Sequence, residues 1–175
     1  MNINSTNRNA LYARICVREP YFALQNLHEI APGETTATIP VELPATYELG
    51  PITAAEAARH TAILGSCAVA SVAPDDRRRY YLATHCDIAW LVTTPACSSD
   101  SFIGYATGGF RDSRNAYAHT TLIATTGRPV ARIDVDYTSF TEEAFGKIFA
   151  RLRRPDLLPG PYAENPTRLP CYYTE

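Results

Sequence analysis

Lysine is almost missing from this 175-residue chain. Lys147 stands alone against fifteen arginines, and 16 basic residues facing 18 acidic ones leave a formal net charge of −2. The arginine bias reads as coding preference. A chain with no basic excess lacks the electrostatic footprint of a nucleic-acid binder, so no nucleic-acid partner is expected. Long hydrophobic runs are missing too. Nothing approaches the roughly 20 apolar residues of a membrane span, and the opening MNINSTNRNA is polar where a signal peptide would be apolar. The expectation is a cytoplasmic protein with no membrane contact. Cysteine is sparse: Cys16, Cys67, Cys86, Cys97 and Cys171 are odd in number, widely spaced and form no CxxC pair. They read as reduced thiols and not as a disulfide frame or a zinc site, and neither a metal nor a cofactor is expected.

What is present is an ordinary globular composition, 46% apolar and 19% charged, in a chain of single-domain length. Its organising stretch is Thr53–Val72, TAAEAARHTAILGSCAVASV, which follows Gly50-Pro51. Thr53 with Glu56 three residues later is a capping-box pattern, so a helix is predicted to start here. Twenty residues would span about 30 Å. The stretch is small or apolar on nearly every side, which predicts a helix surrounded by protein.

Almost everything else reads as strand. Thr35 to Val41 is β-branched, and Pro40 is expected to place its end at a sheet edge. Tyr80, Leu82, Thr84, Cys86, Ile88, Trp90 and Val92 are expected to share one face of a long strand, with His85 on the more polar face. Ser101 to Phe110 is aromatic and broken by glycines. Asn115 to Thr126 and Pro129 to Thr138 flank Thr126-Gly127-Arg128 and predict a hairpin. In the second of these, Ala131, Ile133, Val135 and Tyr137 alternate with Arg132, Asp134, Asp136 and Thr138, the pattern of a sheet with one buried face. Glu142 to Arg154 predicts a short helix. The expected domain covers residues 1–154, and the Pro-rich stretch 155–175 is expected to be an extended tail docked on it through its leucines and tyrosines.

A strand, one long buried helix and then antiparallel strands is the element order of the hot-dog fold, an α+β class in which a curved antiparallel sheet wraps a central helix. The segment Arg18-Glu19-Pro20-Tyr21-Phe22-Ala23-Leu24-Gln25, then Ala31-Pro32-Gly33-Glu34 and Ala37-Thr38-Ile39, resembles the opening of the 3-hydroxyacyl-acyl-carrier-protein dehydratase family. Gly50-Pro51-Ile52 followed by Glu56-Ala57 is similar to that family's entry into its helix, and Tyr80-Tyr81-Leu82-Ala83 to its next strand. The resemblance covers roughly Cys16 to Tyr137 and lies in order and spacing.

What it implies is an acyl thioester, on acyl carrier protein or coenzyme A, bound at the helix amino terminus of a homodimer or higher even oligomer. It places Glu56 at the family's helix carboxylate, while the family's loop histidine is unmatched, since Leu43 to Pro51 contains none. Dehydration next to a thioester needs a positioned base. His60, one helical turn after Glu56, is therefore the second catalytic candidate, and Tyr47, Glu48, Gly50, Ile52 and Cys67 are the expected substrate-binding residues. Each has a plainer reading: Glu56 as a cap, His60 as a hydrogen-bonded interior histidine, Cys67 as a small core residue. Arg77-Arg78-Arg79 is a solvated turn or, less favoured, a contact for a carrier's phosphate. Three functions follow: a dehydratase-like or isomerase-like enzyme of fatty-acid, polyketide or specialised metabolite synthesis, an acyl thioesterase using the helix carboxylate, or a catalytically silent acyl-binding or partner subunit.

Overall fold

The computed structural model describes residues 10–17, 21–42, 50–92 and 101–150. The chain divides after Glu142 into a larger unit, Met1–Glu142, and a smaller one, Glu143–Glu175. The larger unit holds six strands, β1 (Gln25–Ala31), β2 (Glu34–Pro40), β3 (Arg79–Trp90), β4 (Ser101–Phe110), β5 (Asn115–Ala124) and β6 (Pro129–Thr141), and the helix α1 (Ala54–Ser71). A further helix, α2 (Glu142–Ala150), begins at the unit boundary, besides a helical turn over residues 10–14, and the expected tail lies outside the described residues.

The strands form one antiparallel sheet in the order β1-β2-β4-β5-β6-β3. Its inner face is made of side chains that alternate inward as a period of two requires: Ala37 and Ile39, Phe102 and Ala106, Ala116, Ala118 and Leu122, and Ala131, Ile133, Val135 and Tyr137, all buried. α1 lies on this face, and Leu64, Cys67, Ala68, Val69 and Ala70 are fully buried. The approach is close because the contacts are small. A methyl at Gly65 would stand 2.4 Å from the Tyr137 hydroxyl and 2.6 Å from the Ala118 methyl. That hydroxyl donates to the carbonyl of Ala62 at 2.8 Å, tying β6 to the helix.

Two expectations need correction and a third is narrowed. β1 was not foreseen as a strand. It pairs with β2 through a Pro32-Gly33 turn in which Gly33 has φ of 80°, a value that suits glycine. β2 as a whole is not an edge strand, since it sits between β1 and β4, but its end is open on one side as Pro40 implied: pairing with β1 stops at Thr38 while Pro40 still faces Ser101 of β4. β3 does not keep one face throughout. Its register against β6 jumps between Ala83 and His85, so Thr84 is a bulge that reverses the alternation. Tyr81 and Ala83 pair with Ser139 and Tyr137, and Cys86, Ile88 and Trp90 with Val135, Ile133 and Ala131, so these five share the inner face. Tyr80 and Leu82 are on the outer one.

Candidate active site at the amino end of the central helix

Thr53 caps α1 in extended geometry, its hydroxyl oxygen accepting from the Glu56 amide at 3.2 Å. Capping satisfies one of the free amides of the first turn, while those of Ala54 and Ala55 have no acceptor within the helix. Their dipoles favour negative charge at this point. The Glu56 side chain, 3% exposed, does not complete the box in the usual way. One carboxylate oxygen, Oε2, accepts from the Thr53 hydroxyl at 3.0 Å, and Oε1 accepts from the backbone amide of Glu42 at 2.6 Å. Glu56 therefore pins the end of β2 to the start of α1.

Arg59 completes the cluster. Its guanidinium donates to Glu42 Oε2 at 2.5 Å and to Nε2 of His60 at 3.0 Å. Arginine can only donate, so His60 Nε2 is an acceptor and the ring is neutral, with its proton on Nδ1. That Nδ1 is buried and has no partner among the described residues. Burial, and then the Arg59 charge, push the His60 pKa down, with Glu42 and Glu56 partly opposing them. The 3.9 Å approach of His60 to Glu42 is therefore a polar contact and not an ion pair at neutral pH. The lone pair a base would use is already taken by Arg59. Glu42, Glu56 and His60 bring possible ligand atoms within 4.8 Å of one another, but the guanidinium is the cation that this structure puts there.

Of the other expected site residues, Gly50 and Ile52 lie at the entry to the helix, both buried. Gly50 faces the Trp90 ring so closely that a methyl there would stand 2.4 Å from it. The end of β3 is thus brought to the helix amino terminus. Tyr47 and Glu48 lie outside the described residues. Cys67 is fully buried, eleven residues after Glu56 and so about 16 Å further along the axis. Burial raises its thiol pKa to about 12. Arg79 is not part of a solvated turn: it starts β3, is 8% exposed and pairs with Asp75 at 3.3 Å. Sequence reasoning missed Glu42 and Arg59. Arg59 carried a signal, being a charged residue inside an otherwise small and apolar helix. Glu42 carried none, because only the fold sets it against α1.

No protein-family profile and no curated protein matches the chain. Solved structures do. A thioesterase family protein from Silicibacter pomeroyi aligns with a TM-score of 0.58 at 14% identity, covering 78% of this chain and 97% of that one. A hypothetical thioesterase from Streptococcus pneumoniae, solved with coenzyme A, gives 0.52 at 11%, covering 66% and 84%. The E. coli PaaI protein, from the phenylacetic acid degradation operon, gives 0.53 at 12%, covering 79% and 99%. This chain has the hot-dog fold. At such identities the likeness establishes the hot-dog architecture and leaves the chemistry to the site. Among the described residues, no helix is long and apolar enough to cross a membrane.

Proposed function

We propose that this hot-dog protein hydrolyses an acyl thioester at the amino end of α1, with Glu56 as the working carboxylate. One observation carries the reading: a buried carboxylate is fixed within the first turn of a helix whose leading amides have no acceptors inside the helix. Glu56 takes a proton from water as the water oxygen bonds to the thioester carbon. The carbonyl oxygen gains negative charge facing the Ala54 and Ala55 amides, and as the carbon–sulfur bond breaks Glu56 returns the proton to the leaving sulfur, which releases carboxylic acid and thiol and restores the carboxylate. Arg59 and Glu42 position the carboxylate, and His60 keeps Arg59 in place through Nε2. The thioesterase names of the structural neighbours, one of them holding coenzyme A, favour this reading over dehydration. A neutral His60 whose basic nitrogen accepts from Arg59 is a poor substitute for a dehydratase's base. The carrier is coenzyme A or acyl carrier protein.

A second reading has its own support. Both oxygens of Glu56 already accept bonds from the protein, as they would in a silent acyl-binding subunit. Incubation with a panel of acyl and 3-hydroxyacyl thioesters, followed by mass spectrometry, tests the two. Release of free thiol and acid supports hydrolysis, loss of water supports a dehydratase, and binding without turnover supports the silent subunit.

We further propose a homodimer built on β3. Its outer edge has no strand beside it among the described residues beyond the single bridge of Ile15 to Arg79, and residues 82–87 are exposed. A twelve-residue open edge is a pairing template. Light scattering at micromolar concentration should give about twice 19.3 kDa, and the monomer mass would overturn it.

A further inference from the structure

The open edge of β3 has a charge pattern that selects its partner. After the bulge at Thr84, His85 and Asp87 lie two residues apart on the outer face, with Cys86 between them on the inner face. All three are exposed. Asp87 is poorly matched within its own chain. β6 sets Asp134 directly opposite it, and a like charge in that position is destabilising. Asp134 already has a base of its own, His119 at 2.6 Å, while His85 stands 3.3 Å from Asp87. A basic group on the open side of Asp87 would relieve the mismatch. Ala83 and Cys86 are also exposed although they belong to the inner face, so α1 leaves this part of the sheet uncovered.

We infer that two copies of the chain join β3 to β3 antiparallel about a two-fold axis at Cys86, so that His85 of each faces Asp87 of the other. This rests on the homodimer proposed above and fixes its register. A two-fold axis perpendicular to a continuous sheet keeps like faces on the same side, so one residue must face its own copy. The exposed candidates after the bulge are His85, Cys86 and Asp87. Centring on Asp87 sets two carboxylates opposite each other. Centring on His85 opposes two imidazoles and leaves Asp87 without a counter-charge. Centring on Cys86 gives two reciprocal His–Asp pairs, and opposite charges across a strand pair are favourable. Cys86 then faces the partner subunit's Cys86. Directly opposite residues have Cα atoms about 4.5 or about 5.5 Å apart, within the roughly 4.4–6.8 Å that a disulfide spans. Edge pairing uses backbone groups, so the facing thiols stay within reach of a small reagent on the inner face. The same register runs the start of the partner's β3 past Trp90, whose ring covers Gly50 at the entry to α1.

Oxidation of the full-length protein with diamide tests the register, since two facing thiols give up two protons and two electrons to the reagent and are left as one disulfide. Non-reducing gels and peptide mass spectrometry should show a covalent dimer joined through Cys86 to Cys86. Its rate of formation should not rise with protein concentration, because the thiols already face each other. Cys86→Ser should abolish this link. His85→Glu sets a carboxylate against the partner's Asp87 at both ends of the axis and should weaken dimerisation roughly tenfold in sedimentation. Adding Asp87→Lys to it should restore the parent affinity, with circular dichroism confirming that both variants are folded. A monomer in solution would overturn the homodimer and the register with it. A stable dimer that yields no Cys86 link, a link that forms only by collision, or a double variant no tighter than His85→Glu would each overturn the register alone.

Discussion

Replacing Glu56 by Gln separates the two readings of the site, and the structure sets the size of each effect. The amide oxygen of glutamine can take over the bond from the Glu42 backbone amide, now 2.6 Å from Oε1. Its NH2 group would then meet the Thr53 hydroxyl, now 3.0 Å from Oε2, and that hydroxyl can accept as well as donate. The bond count is kept, and what is lost is charge. Bonds to a charged group exceed neutral ones by about 1 kcal/mol, and a negative charge in a helix's first turn is worth about 0.3–1 kcal/mol. The loss should therefore be about 1–2 kcal/mol, a fall in Tm of roughly 2–8 °C for a chain this size. A capping role predicts that and nothing more. A catalytic role adds a drop in kcat of about a hundredfold or more with little change in KM. The assay is steady-state thioester hydrolysis by thiol release, run beside thermal melts of parent, Glu56→Gln and Glu56→Ala. The alanine variant should lose more stability than glutamine, because it leaves the Glu42 amide without its acceptor. Turnover by Glu56→Gln at the parent rate would refute the catalytic assignment and leave Glu56 as the clamp between β2 and α1.

His60 titrates below 6.5 in the folded chain and at 6.5 when unfolded. The unfolded state therefore binds the extra proton, and stability should fall as pH drops through about 6.5. His60→Gln should flatten the change in urea midpoint between pH 7 and pH 5, and an unaltered slope would remove His60 as its source. Gly65→Ala should destabilise by about 1–3 kcal/mol despite alanine's better helix propensity, because the new methyl displaces the Tyr137 hydroxyl from Ala62; equal urea midpoints would contradict the close approach. Cys67, with its pKa raised to about 12 and no exposure, should resist alkylation at pH 8 in the folded protein while exposed Cys86 reacts. Labelling of Cys67 as fast as Cys86 would place it outside the core.

The helix, its cap at Thr53, the β5–β6 hairpin and the inward face of β6 were legible in the sequence because each is written in local chemistry. A threonine three residues before a glutamate, a turn glycine and a strict period of two act within a few residues. The element order that suggested the hot-dog fold was likewise visible in one dimension. β3 shows where local reading stops. The alternation from Tyr80 to Val92 looked continuous, yet pairing with β6 inserts Thr84 as a bulge and divides the run between two faces. β1 lacked a strong pattern of its own, and its pairing with β2 makes it a strand. The site divides in the same way. Glu56 and His60 could be placed on one side of a helix from spacing alone. That β2 ends over them, that Glu42 gives its amide to Glu56, and that Arg59 occupies the one nitrogen His60 would need as a base are consequences of strands and helix meeting across long sequence separations. No local propensity encodes such meetings. Packing α1 onto the sheet decides them, and with them whether a histidine one turn from a carboxylate is a base or a prop.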